Sequence, residues 1–258
     1  MTAVPGSGPA PSVTLLNGRF DALGLDDTVD LISRRIQAGQ RGYLCTVNVA
    51  ILMMMRKDAR LQGFVDRAAI VVADGQPLIW SSRMLARRLP ERVAGVDLVD
   101  RLCARAAREG FGVYLLGAHK TVVDKLADRL KQRYPDLVLS GVADGYFGPE
   151  QAESRAQAVA ASGAKILVVA MGVPRQEHFI EEYWDRLGVP FAIGVGGSFD
   201  VMAGLRVRAP EIVQRVGLEW LFRFVQEPRR LGKRYLVTNA EFLYLISREL
   251  LAFKKPAA

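Results

Sequence analysis

From Gly42 onward, short runs of β-branched and aliphatic residues alternate with longer stretches of helical periodicity, a pattern satisfied by a mostly parallel sheet covered by helices. Six strands are expected: Tyr43 to Val47, Ala69 to Ala73, Gly112 to Leu116, Leu137 to Val142, Lys165 to Ala170 and Phe191 to Val195. Between them, Leu98, Val99, Leu102, Cys103 and Ala106 share one helix face, as do Val122, Val123, Leu126 and Leu130, so these stripes belong to the core. With 258 residues, half of them hydrophobic, the chain can bury one α/β core, which excludes a disordered or fibrous protein. Cys45 and Cys103 are the only cysteines; each has apolar neighbours and reads as a small core side chain in a reducing compartment. His119 and His178 are not spaced with them as zinc ligands would be, so no metal site is expected.

The two ends differ from this body. Residues 1–12 lack both a basic and an apolar region of the kind a signal peptide needs and are expected to form a flexible tail; the α/β domain then spans residues 13–203. After Asp200 the composition shifts: Gly204 to Lys255 holds eleven Lys or Arg against five Glu, supplying most of the chain's formal charge of +8. Such a balance points to an anionic partner, whether nucleic acid, a phosphorylated ligand or an acidic membrane surface. Residues 204–258 are therefore treated as a basic helical appendage, with helices over Ile212 to Gln226 and Leu231 to Phe253 broken near Pro228. No run of about eighteen apolar residues occurs, so the chain is expected to be soluble or peripheral to a membrane.

In open parallel sheets, ligands bind beyond the carboxyl ends of the strands, where loops converge and helix amino termini present free N–H groups. Polar and glycine residues cluster at that end: Thr46-Val47-Asn48, Asp74-Gly75, Asp144-Gly145-Tyr146, Gly172-Val173-Pro174-Arg175-Gln176-Glu177, and Gly196-Gly197-Ser198-Phe199-Asp200. Asp74 either caps a turn with Gly75 or serves as a general base, and both readings are open at this level. The glycine loops suit a phosphate but match neither a P-loop nor the dinucleotide fingerprint, whose third glycine is replaced by Phe199. No two aspartates are separated by one residue, so the D-x-D element that holds a metal on a nucleotide-sugar diphosphate is missing. The charge of a diphosphate would then fall to helix termini and to arginines such as Arg206, Arg208, Arg223, Arg229, Arg230 and Arg234.

The ordered series Thr46-x-Asn48, Ala73-Asp74-Gly75, Arg92-x-x-Gly95-x-Asp97-Leu98, Gly172-x-Pro174-x-Gln176-Glu177, Gly196-Gly197-x-Phe199-Asp200, Arg208-Ala209-Pro210 and Gly217-Leu218-Glu219-Trp220 resembles the WecG/TagA/CpsF glycosyltransferases, glycosyltransferase family 26. The resemblance implies a Rossmann-like α/β fold of the GT-E type, with helices on both faces of the sheet and a C-terminal appendage. It implies inverting transfer from a UDP-sugar to a polyprenyl-diphosphate-linked sugar acceptor, in bacterial surface polysaccharide synthesis. The place would be the cytoplasmic side, peripheral at the inner face of the cell membrane, with no metal and no cofactor beyond the donor. By the same resemblance Asp74 would be the general base, and Thr46, Asn48, Arg92 and Gln176 would hold sugar and acceptor. UDP would lie against Asp144, Tyr146, Gly172, Pro174, Gln176, Gly196, Gly197 and Asp200, with Arg223 and Arg230 covering the diphosphate and either Lys233 or Arg234 assisting.

The appendage helix mixes Leu236, Phe242, Leu243, Leu245, Ile246 and Leu250 with basic residues, a composition suited to a bilayer surface or to a neighbouring subunit, which makes a homo-oligomer an alternative to a monomer. A competing function, a nucleotide or RNA binding module without chemistry, would use the basic tail and Trp220, Phe222, Phe224 and Tyr235, but no recognisable RNA-binding motif accompanies them. The transferase reading carries no nucleic-acid partner. A nicotinamide oxidoreductase ranks last for want of the fingerprint.

Overall fold

The computed structural model describes residues 11–226 and 228–254, with side-chain surroundings for all of these except 223, 228–235 and 254. In chain order the elements are β1 (Ser12–Leu15), β2 (Gly18–Asp21), α1 (Leu25–Gln37), β3 (Gly42–Val47), α2 (Val49–Met55), α3 (Ala59–Asp66), β4 (Ile70–Ala73), α4 (Gln76–Met84), α5 (Gly95–Glu109) and β5 (Val113–Gly117). They continue with α6 (Lys120–Arg133), β6 (Leu139–Ala143), α7 (Pro149–Ala161), β7 (Ile166–Ala170), α8 (Arg175–Tyr183), β8 (Phe191–Gly194), α9 (Ser198–Met202), α10 (Glu211–Arg215), α11 (Glu219–Gln226) and α12 (Pro228–Lys254).

Strands β3 to β8 form one parallel sheet in the order β4-β3-β8-β7-β5-β6. Their side chains alternate between two cores, as a strand covered on both faces requires. Leu44, Ile70, Val72, Leu115, Val168 and Ile193 join α1, α5, α6 and α9 on one face. Cys45, Val47, Val71, Leu116, Val169 and Ala192 join α2, α3, α4, α7, α8 and α12 on the other. The fold is thus α/β and Rossmann-like. The expected stripes of α5 and α6 are buried, and both cysteines are buried and free.

Three local features depart from the sequence expectation. A two-stranded antiparallel hairpin, β1 with β2, precedes the sheet and begins at Ser12, inside the expected tail. It is tied to the edge strand, because the buried Asp21 carboxylate accepts the Val71 N–H at 2.8 Å and occupies a donor an edge would otherwise expose. Second, the helix expected from Ile212 to Gln226 is two helices. Gly217 adopts φ +67°, and a side chain there would meet the Trp80 ring at 2.7 Å, so the chain ends α10 and restarts as α11. Third, the apolar residues of α12 divide between two faces. Phe242 and Ile246 are buried in the core against α2, with Leu245 and Leu250 packed beside them, whereas Leu236 and Leu243 are exposed together with Tyr244 and Leu251. Among the described residues, this second set, with Val237 and Phe253, is what α12 leaves available to a bilayer or another subunit.

Charged residues secure the same helix. Glu241 pairs with Lys57 Nζ at 2.5 Å, and Glu249 takes Arg87 Nη1 at 2.5 Å and the Leu16 N–H at 3.3 Å. The C-terminal half of α12 is therefore part of the domain surface. No helix among the described residues is long and apolar enough to cross a membrane.

Candidate active site

Two cavities open at the carboxyl end of the sheet and meet at Asp74. The larger, roughly 1110 Å³, is lined by Thr46, Asn48, Asp74, Gly172, Gln176, Gly196 and Gly197 from the domain, and by Arg206, Arg208 and Glu219 beyond it. The smaller, roughly 620 Å³, shares Asn48, Asp74 and Glu219 and adds Gln76, Arg92, Gln214 and Trp220. Register explains the convergence. Thr46 and Val72 are partners across β3 and β4, and the Asp74 N–H continues that ladder to Val47 O at 2.8 Å. The Val93 N–H bonds Ala73 O at 2.9 Å, which draws Arg92 from the segment before α5 to the side of the same strand end.

Each loop is shaped by its backbone. Asn48 caps α2, its Oδ1 accepting the Ile51 N–H at 3.1 Å. Thr46 Oγ1 donates to Gly194 O at 3.3 Å. Gly196 takes φ +55°, and a side chain there would meet open space, so the turn into α9 presents bare backbone to the larger cavity. Helices α2, α4, α8 and α9 begin at this end of the sheet beside the two cavities, and their amino termini lend the cleft a positive potential.

Gln176 is buried, and its carboxamide is committed at both ends: Oε1 accepts the Gly196 N–H at 2.9 Å, and Nε2 donates to Glu177 Oε1 at 2.8 Å. Burial pushes the Glu177 carboxyl up to about 7, only partly opposed by the Gln176 hydrogen bond.

The arginines at the rim are paired with carboxylates. Arg208 grips Asp97 with both Nη atoms, at 2.7 and 2.5 Å. Arg92 bonds Glu219 and, at 2.8 Å, Gln214 Oε1, with Asp97 3.9 Å away. Arg206 Nε lies 3.6 Å from Asp200 Oδ1. Arg92 therefore joins the domain to the appendage besides lining the smaller cavity. Among the described residues no three His, Cys, Asp or Glu side chains converge as a metal site.

The structure brings together Thr46, Asn48, Asp74, Arg92, Gly172, Gln176, Gly196 and Gly197, but four other expected residues line neither cavity. Pro174 is the N-cap of α8, and Asp200 lies in the first turn of α9. Asp144 accepts the Tyr146 N–H at 3.1 Å and pairs with Arg155 at 3.0 Å, a local turn at the end of β6. Tyr146 is exposed and stacks on His119 with ring centres 4.1 Å apart. This loop nonetheless abuts the Gly172 loop, since a side chain at Gly145 would meet Met171 at 2.9 Å. Arg223, Arg230, Lys233 and Arg234 lie outside the described side chains. Sequence reasoning assigned no role to Glu219, Gln214 or Glu177. Glu219 and Glu177 stand within the quoted motifs, which was the one signal available for them.

A family model, that of the glycosyl transferase WecG/TagA/CpsF family, matches residues 13–256. The chain belongs to that family, whose members are glycosyltransferases of cell-surface polysaccharide synthesis.

Proposed function

From membership of this family, we propose that the protein transfers a sugar from a UDP-sugar to a polyprenyl-diphosphate-linked acceptor, with inversion at the anomeric carbon and without a metal. The observation that carries the reading is the place of Asp74, where a cavity rich in glycine loops joins a second one closed by the appendage. Donor occupies the larger cavity and acceptor enters through the smaller. The acceptor hydroxyl oxygen attacks the anomeric carbon from the face opposite UDP. Asp74 takes the hydroxyl proton, and the glycosidic electron pair leaves with the diphosphate.

Charge on the departing diphosphate is met by the amino ends of α8 and α9 and by Arg206, which lines the larger cavity. Thr46 and Gln176 hold the donor's sugar and phosphate end, with Gly172, Gly196 and Gly197 supplying close backbone approach. The exposed ring of Tyr146, stacked on His119 beside the Gly172 loop, offers a face for uracil. The exposed face of α12, with Leu236, Leu243, Tyr244 and Leu251, rests on the inner face of the membrane, where the lipid-linked acceptor is found.

The test is to incubate the protein with a panel of UDP-sugars and a polyprenyl-diphosphate-sugar acceptor, without divalent metal, and to measure which nucleotide sugar is consumed. Acceptor-dependent release of UDP from one donor is expected. RNA binding with no response to any UDP-sugar would refute the reading.

A further inference from the structure

Glu177 sits one residue beyond Gln176 in the first turn of α8, is only 6% exposed, and lines neither cavity. A carboxyl is costly to bury unless it is hydrogen-bonded, paired or protonated. Its Oε1 accepts from Gln176 Nε2 at 2.8 Å, while its buried Oε2 has no hydrogen-bond partner. The far end of the same carboxamide holds the Gly196 N–H at 2.9 Å. Gly194 makes room for this arrangement: a side chain there would meet Gln176 Nε2 at 2.7 Å. A carboxamide can reverse its ends at small cost unless both neighbours are specified, one a donor and the other an acceptor. Here Gly196 supplies the donor and Glu177 the acceptor.

We propose that Glu177 is a positioning residue, which acts through the Gln176 carboxamide to hold the Gly194–Ser198 turn in the form it presents to the larger cavity. The proposal deepens the transferase reading and rests on it for its kinetic consequence alone. Losing the carboxyl frees Gln176 to turn, releases the Gly196 N–H and blurs the donor site. Ionisation of Glu177 strengthens its acceptance of the Nε2 bond, so the turn tightens as pH rises through neutrality. Titratable and charged groups stand around Glu177 on the elements packed against it. Cys45 of β3 is driven well above its usual range, by burial first and then by Glu177. On α8, Glu181 is held by Arg60 of α3 and by Arg67 just after that helix, and His178 is the adjacent residue. On α7, Glu153 pairs with Arg186 and Arg155 with Asp144, and β8 carries no titratable side chain.

Amide spectra of the unliganded protein, recorded from roughly pH 5 to roughly pH 9, separate this proposal from the transferase reading. The Gly196 N–H and the Gln176 side-chain amide are expected to titrate together, with one midpoint near neutrality. Glu177→Gln retains an acceptor but cannot ionise, so it flattens both curves; Cys45→Ala leaves them as in wild type. In steady-state assays Glu177→Ala raises KM for the UDP-sugar about tenfold while kcat changes less than about threefold, and Glu177→Gln restores KM to within about twofold. Resonances indifferent to pH, or curves unchanged in Glu177→Gln, would overturn the proposal. So would kinetics of Glu177→Ala matching wild type. If wild type turns over no UDP-sugar, the functional reading fails, while the spectra still decide the role of Glu177.

Discussion

Replacing Glu219 by Gln removes the carboxylate that Arg92 bonds at the junction of domain and appendage. Both side chains are largely covered, 14% and 17% exposed, so the pair is worth more than a surface ion pair. It is not a sealed pair, because Arg92 keeps Gln214 at 2.8 Å and lies 3.9 Å from Asp97. Breaking a fully buried pair costs about 3–5 kcal/mol and a surface pair at most about 1 kcal/mol, which sets the present cost near 2 kcal/mol. At 1.36 kcal/mol per decade, that is a roughly 30-fold rise in the population whose appendage has opened. Amide hydrogen exchange reads it directly. Leu221 and Phe222, whose N–H groups bond Leu218 O at 3.0 Å, should exchange about 30-fold faster in Glu219→Gln, with β5 and β7 unchanged. An Arg92→Met variant should show a similar effect, and the double variant little more than either. Exchange at α11 within about threefold of wild type, or fully additive effects of the two substitutions, would show that the Arg92–Glu219 pair does not hold α11 in place.

Three further outcomes follow from the geometry. Phe242→Ala empties a 2%-exposed site between α12 and α2 and should cost about 3–5 kcal/mol, seen as a lower urea midpoint or as earlier release of α12 in exchange. Gly194→Ala places a methyl 2.7 Å from Gln176 Nε2, so it should displace the carboxamide and weaken UDP binding about tenfold by calorimetry, with the helical circular dichroism of wild type. Because the Glu177 carboxyl is raised from 4.5 to about 7 on folding, the folded chain binds more protons between those values. Its contribution is fully present below pH 4.5 and is lost as pH rises through about 7, so wild type should lose up to about 3 kcal/mol over that window relative to Glu177→Gln in urea unfolding. Parallel curves for the two proteins would contradict this.

The six-stranded sheet was legible because each strand is a short apolar run and each helix carries one apolar stripe, signals contained within a few residues. Thr46, Asp74 and Gln176 were legible as a group because the topology of parallel sheets sends all strand ends to one side. The rest depends on distance along the chain. Arg92 meets Gln214 and Glu219 across 122 and 127 residues, so its tie to the appendage follows only from the folded topology. The hairpin β1–β2 is too short for its alternation to stand out from the Pro and Gly residues before it. In α12, Phe242 and Leu243 are equally apolar neighbours; which one is buried is decided by the surface of α2 and not by either residue. Glu177 does not stand out in the sequence because a carboxylate in the first turn of a helix is ordinary, and only its burial makes it unusual.

Asp74 is proposed to remove the proton from the attacking hydroxyl. Turnover of a UDP-sugar with a polyprenyl-linked acceptor by Asp74→Asn, measured beside UDP affinity, tests it directly. A loss of about 10²- to 10⁴-fold in kcat is expected, with UDP binding within about twofold of wild type. Turnover within about threefold of wild type would contradict it.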